Sequence, residues 1–508
     1  MVNSARLGEI RARLAIFMAK KYVILAVLLF CAAPDAGARE AAFAGKFYPS
    51  GRAELSAFAD KALAGCPAAS PSEKTVAVLA PHAGFVYSGR IAACAYTAAA
   101  ENYDLVVILG PAHTKAVRGA ALLASGFYET PLGRVQVDEE FSRALMAAEP
   151  LFYDDPAAHA AEHSVEVQLP FLQRRLKKPF RLAAALLNSD DPAAPAKIGA
   201  ALAAKLKGRR ALLVISSDMS HYPGHETARA ADLTQALALE TMSAEYFLLT
   251  GKVLLAKGAP GLETCACGGA AIAAGLEAAK RLGAGEFVTL KYADSFDTFP
   301  EAATKERVVG YLAGAFVKKA KAAPYTIKYD AARREALLAE ARKAVAASLE
   351  GEKPAPVFEK TDYALNLPAA VFVTLTKNGV LRGCVGTVEP VMALVDAVKY
   401  AALSAAFADR RFEPLAKEEL SEVRMEISAL SPLQRTASAK NITPSLHGVV
   451  VRGGGRSGLF LPQVWEQIPN KEEFLGELCS QKAGLPRDCW KDPKTELYTF
   501  TVDAFSEK

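Results

Sequence analysis

Short apolar runs, each closed at once by glycine or proline and then a polar residue, recur through the first half of the chain. Val76–Ala80 runs into Pro81-His82-Ala83-Gly84, and Leu105–Leu109 runs into Gly110-Pro111-Ala112-His113. Runs of this length and β-branched content, ended by a breaker, predict buried parallel strands. Further strand-like runs at Arg181–Leu187, Ala211–Ser216 and Glu286–Tyr292 alternate with helical stretches such as Pro195–Lys207 and Thr227–Leu249. That alternation predicts an α/β fold with a mainly parallel, helix-covered sheet. Loops at the carboxyl ends of such strands line a ligand crevice. Two histidines delivered there by separate strands can converge on one point, as a metal site requires.

The pattern changes after Lys318-Lys319-Ala320-Lys321. A helix over Asp330–Leu349 has apolar residues at helical spacing and a charged outer face. Then come a strand at Ala370–Leu375, an Asn378-Gly379 hairpin turn, the segment Leu381–Thr387, a helix over Val391–Ala406 and a strand at Glu422–Ala429. This order predicts a second, smaller α+β domain. A chain of 508 residues is long enough for two or three domains. The expected division is a leader over 1–38, a first domain over 39–320, a linker over 321–325 and a second domain over 326–508.

The leader carries Arg6, Arg11, Arg13, Lys20 and Lys21, then an uncharged run from Tyr22 to Pro34 and the small-residue end Ala36-Gly37-Ala38. A basic region, a short apolar core and an A-x-A end describe a secretory signal peptide. The core is short for a transmembrane helix. The protein is therefore expected to be exported, periplasmic or extracellular; a membrane anchor formed by the uncleaved signal is the alternative. The formal charge of +5 gives no argument for nucleic acid, and none is expected as a partner. Export permits disulfides. Cys66–Cys94 and Cys479–Cys489 are candidate pairs, and buried free thiols fit equally well.

Polar residues gather beyond the first-domain strands. If Glu162–Pro170 is helical, His163 and Glu166 share a face. Asp218 and His221 follow the strand Ala211–Ser216. Cys265 and Cys267 precede Gly268-Gly269 and an Ala-rich stretch, where a helix N-terminus would lower a thiol's pKa. Plainer roles stand beside these: His159 and His225 as structural histidines, Glu166 as a solvated helix residue, Asp218 as a helix cap, Cys265 as a packed small residue. In the second domain Cys384 lies between glycines near Arg382, with His447 as a possible base and Asp409 or Glu426 as orienter. The plainer reading packs Cys384 in a tight turn and pairs Arg382 with Asp409. Gly453-Gly454-Gly455 reads as a hairpin tip, with anion binding as the alternative.

The strings Pro81–Gly89, Leu109–His113, Glu162–Glu166, Ser216–His221 and Cys267-Gly268 together resemble the Memo family. That resemblance implies a fold like class III extradiol dioxygenases and a site for non-haem iron, with copper as second choice and zinc third. Carried over position by position, it implies His82, His113 and Cys267 as metal-binding residues, with His163, Glu166, Asp218 and His221 around them. Sulfur among the donors shifts preference toward copper(I) or zinc. Arg382–Thr387, Ala406–Phe412 and Gly448–Val451 resemble the AMMECR family, whose biochemical role is unsettled. The two families and radical-SAM proteins are associated as a system, AmmeMemoRadiSam, which implies a radical-SAM partner. The leading expectation is metal-dependent oxidation of a small molecule or peptide. A non-catalytic peptide- or protein-binding scaffold is one alternative. Metal-assisted hydrolysis with Glu166 as base is another.

Overall fold

A computed structural model describes residues 38–67, 74–189, 191–319, 328–353, 358–436 and 438–507. The expected leader up to Gly37 and the linker 321–325 lie outside the described residues. Among the described residues no helix is long and apolar enough to cross a membrane.

The first half is built on eight strands: β1 (Thr75–Ala80), β2 (Leu105–Gly110), β3 (Gly119–Leu122), β4 (Phe152–Asp154), β5 (Arg181–Asn188), β6 (Ala211–Ser216), β7 (Ala284–Asp294) and β8 (Gly310–Lys318). Their order across the sheet is β7-β8-β1-β6-β2-β5-β3-β4. The central four, β1, β6, β2 and β5, are parallel. On one side β8 and β7 add antiparallel, and on the other β3 adds antiparallel to β5.

Alternation within the central strands explains their uninterrupted apolar runs. Val78, Ala80, Val106, Ile108, Leu212 and Val214 face one core, and Ala77, Leu79, Val107, Leu109, Leu213 and Ile215 face the other. Successive side chains point to opposite faces, so a strand covered on both sides is apolar throughout. The helices Arg52–Ala64 and Arg90–Thr97 cover the first face; Ala194–Leu206 and Gly269–Arg281 cover the second.

Two helical expectations need correction. The single helix expected over Thr227–Leu249 is two, α1 (His225–Glu240) and α2 (Ala244–Ala256). The backbone turns at Met242 (φ 54°), and Ser243 accepts the Tyr246 N–H to cap the second helix. Nor are His163 and Glu166 on one helix. His163 lies in irregular chain, a 3₁₀ turn spans Glu166–Gln168, and the α-helix begins at Leu169. Those two side chains do not share a face.

The second half holds two antiparallel sheets. β9 (Pro368–Lys377), β10 (Val380–Gly386), β11 (Val423–Leu430) and β16 (Val502–Ser506) form the order β10-β9-β11-β16. β12 (Gln434–Thr436), β13 (Gly448–Gly453), β14 (Arg456–Phe460) and β15 (Glu496–Phe500) form the order β12-β15-β13-β14. The Asn378-Gly379 hairpin joins β9 to β10 with both residues at positive φ, 52° and 78°. Gly454 and Gly455, also at positive φ, form the β13–β14 tip, as the hairpin reading expects. Cys66 pairs with Cys94, and Cys479 with Cys489. Cys265, Cys267 and Cys384 are free.

Candidate metal centre

The loops after β1 and β2 bring His82 and His113 to the segment between α2 and the helix Gly269–Arg281, which carries Cys267, and the three ligand atoms all lie within 4.8 Å of one another. The His82 and His113 rings lie 5.2 Å apart. Cys267 Sγ stands 3.2 Å from His82 Nε2. Close backbone approach makes this possible at two glycines. A Cβ on Gly110 would meet Ser164 Oγ at 2.6 Å, and one on Gly268 would meet Ser217 Cβ at 2.8 Å.

Hydrogen bonds behind the histidines determine which nitrogen faces the centre. Ser216 Oγ donates its one hydrogen to the Ser164 carbonyl at 2.6 Å. It accepts from Gln168 Nε2 at 2.8 Å. At 3.0 Å from His82 Nδ1, Ser216 Oγ is left as an acceptor. Nδ1 therefore carries the proton and Nε2 presents its lone pair toward Cys267. Gln168 is itself held by the Tyr96 hydroxyl at 2.6 Å.

Glu162 does the same for His113. Its Oε1 lies 2.9 Å from His113 Nδ1, and its Oε2 accepts the His113 backbone N–H at 2.6 Å. It also accepts the N–H groups of His163 and Ser164. Burial raises the Glu162 carboxyl, but hydrogen bonds led by His113 win and hold it down at about 2. The ionised carboxylate accepts a hydrogen bond from the His113 Nδ1–H, leaving Nε2 bare. Carboxylate and hydroxyl partners of this kind orient metal-binding imidazoles. Two bare imidazole nitrogens and a thiol form a donor set that fits a soft or borderline transition metal.

His163 and His221 complete a histidine-rich wall. The His163 ring stacks on His113 with centroids 4.7 Å apart, and Phe47 packs against it at 4.6 Å. Burial pushes His163 down to about 4. Burial, then His113, does the same for His221, whose Nε2 is buried without a hydrogen-bond partner. Both imidazoles are neutral near pH 7. For His82, burial followed by the neighbouring histidines lowers the pKa strongly.

Asp218 caps no helix, because the next one begins at His225 after Gly224. Its Oδ1 instead accepts the N–H groups of His82 at 2.7 Å and Ala83 at 3.3 Å, holding the loop after β1. Burial raises its carboxyl to about 6 despite these bonds. The expected depression of the Cys267 thiol pKa is also reversed: burial, then Asp218, raises it. The weak dipole of the helix that follows does not outweigh removal from water.

Glu166 stands apart from the centre. Its carboxylate meets Arg39 Nη2 at 2.8 Å, the Tyr48 hydroxyl at 2.5 Å and the Phe43 N–H at 2.9 Å. It braces the N-terminal segment and is not available as a base beside the metal position. Cys265 is packed and buried. His159 is buried between Tyr128 and the Ala121 carbonyl, and His225 pairs with Asp294 at 2.6 Å.

The Cys384 constellation does not assemble as a nucleophile with His447. Cys384 Sγ accepts from Thr374 Oγ1 at 3.3 Å, and its N–H donates to Asp409 at 2.8 Å. His447 Nδ1 accepts the Thr443 N–H. Arg382 pairs with Glu419 at 2.9 Å, while Arg411 takes Asp409. A Cβ on Gly383 would meet the Ala405 carbonyl oxygen at 2.2 Å, so that glycine serves helix packing.

Sequence reasoning missed Glu162, Ser216, Gln168 and Arg39. Glu162 carried a usable signal, a carboxylate directly beside His163. The others carried none, since their partners are remote in sequence.

A family model described as Memo-like protein matches residues 39–315, and one described as AMMECR1 matches residues 338–505. A MEMO1 family protein of Aquifex aeolicus is 36% identical over 281 residues, 55% of this chain and 99% of that relative. A protein of Nanoarchaeum equitans is 43% identical over 178 residues, 33% of this chain and 96% of its own length. The crystal structure of an uncharacterized protein from Pyrococcus horikoshii is 36% identical, covers 36% of this chain and 95% of that one, and has a TM-score of 0.32.

Proposed function

Since this chain belongs to the Memo-like family and carries an AMMECR1 domain behind its first half, we propose that it is an exported, metal-dependent oxidoreductase acting on a small molecule or peptide. The observation that carries this reading is the convergence of His82, His113 and Cys267 within 4.8 Å, with both imidazoles turned lone pair inward. These three residues would hold iron, or copper as the softer alternative. Bound there, such a metal would supply redox chemistry.

The chain's own groups then have distinct work. Glu162 and Ser216 hold the two imidazoles in the binding tautomer. Asp218 fixes the loop that carries His82. His163 or His221, both neutral at pH 7, would be the proton donor or acceptor toward substrate; the unpartnered Nε2 of His221 is free for this, while Nδ1 of His163 lies 3.3 Å from Glu162. Phe43 and Phe47 flank His163 and exclude water from one side. Two disulfides support an oxidising compartment. A radical-SAM protein of the AmmeMemoRadiSam system belongs to the same proposal as a pathway partner.

The test is the metal content of protein purified anaerobically from its exported compartment, for wild type and His82→Ala. Near-stoichiometric iron or copper that the variant loses is the expected result. Zinc in its place would redirect the reading to hydrolysis, and no metal in either sample would overturn it.

A further inference from the structure

We infer that the cleft between the two halves binds a polypeptide in extended conformation, by addition to exposed sheet edges. This site is separate from the metal centre and does not depend on it. The cleft has a volume of about 1000 Å³ and draws its walls from both halves. One wall is the contiguous stretch Ala284–Thr289 of β7; the other includes Gln434, Arg435 and Thr436 of β12. Each is the outermost strand of its sheet among the described residues. An edge strand leaves alternate backbone N–H and C=O groups unpaired, and such an edge templates another strand.

Side chains between the two edges add donors that lack partners. Thr501 is only 5% exposed, and its hydroxyl has no hydrogen-bond partner. Gln434 Nε2 is likewise buried and unpartnered. His447 accepts the Thr443 N–H on Nδ1 at 3.0 Å, so its Nε2 carries the hydrogen. All three line the cleft. Buried polar groups are nearly always satisfied in a complete assembly, and three unsatisfied or free donors in one cleft match the carbonyl oxygens of a peptide backbone. Lys280 and Glu240, which face the cleft without ion pairs among the described residues, offer complementary charges to a peptide bearing one acidic and one basic side chain.

The halves are also joined directly, outside the cleft. The Tyr246 hydroxyl of α2 donates to the Pro368 carbonyl at 2.6 Å, and Tyr246 packs with Ala238 and Leu367. Because the cleft draws its walls from both halves, a bound strand would touch both at once.

The probe is a random decapeptide library displayed on phage, selected against the full-length chain, with the best binder then synthesised. Expected are saturable binding, slowed amide exchange at both 286–289 and 434–436, and at least a tenfold loss of affinity when alternate peptide amides are N-methylated. The Gln434→Ala/Thr501→Val double variant should lose a similar factor while keeping its melting temperature. Failure to select any binder would overturn the inference. So would binding indifferent to N-methylation, or exchange protection confined to one half. Backbone methylation and exchange are both read on the wild-type chain, and neither depends on the stability of the double variant.

Discussion

Glu162 and Glu166 lie four positions apart and do unrelated work. Glu162 accepts four hydrogen bonds around His113, His163 and Ser164. Replacing it as Glu162→Gln keeps the size but removes the charge that holds the His113 Nδ1 proton. Metal affinity should fall 10–100-fold with the fold intact, measured by competition against a chelator. His159 supplies a second residue-scale prediction, in pH dependence. Burial holds it at about 4 against an ordinary 6.5, with Tyr128 donating to Nδ1 and Nε2–H donating to Ala121. A folded pKa below the unfolded one gives stability that is complete above pH 6.5 and lost as pH falls through about 4. The loss amounts to roughly 3 kcal/mol. Denaturant unfolding between pH 7 and 4 should show it, and His159→Gln should flatten that slope.

At the scale of elements, the sequence was most legible where structure is local. The apolar runs before His82 and His113 became β1 and β2, and Asn378-Gly379 became a hairpin turn, because strand burial and turn chemistry depend on neighbouring residues. The expected helix over Thr227–Leu249 failed at Met242 and Ser243, where neither glycine nor proline marked the break. The hairpin offers a clean check. Gly379 sits at φ 78° with nothing within 4 Å of an added Cβ, so Gly379→Ala meets only backbone strain. A loss of about 1 kcal/mol is expected, read as a lower unfolding midpoint at unchanged slope.

At the scale of the whole molecule, the described residues join the halves through polar contacts such as Tyr246–Pro368, Thr234–Tyr363 and Lys360–Glu226. Lys257, at the C-cap of α2 with its side chain 5% exposed, pairs with Asp396 of the second half. Lys257→Ala removes this ion pair between the halves, weakening the joint and not either core. Calorimetry should show the unfolding of the two halves separating into distinct transitions. A single unchanged transition would mean that the other contacts between the halves, among them Tyr246–Pro368, Thr234–Tyr363 and Lys360–Glu226, suffice to couple them.

The sequence by itself determined the α/β order of the first half, the α+β character of the second, and the motifs that carry His82, His113 and Cys267. Each rests on periodicity or breakers within a few residues, or on strings long enough to resemble a family. Only the tertiary structure decided which carboxylate serves the centre. Glu166 is turned away by Arg39 and Tyr48, partners more than a hundred positions distant, while Glu162 turns inward. It also decided that burial raises the Cys267 thiol against the expected lowering, and that Arg382 meets Glu419 and not Asp409. Desolvation and long-range pairing arise from how remote segments pack, and no local pattern encodes them.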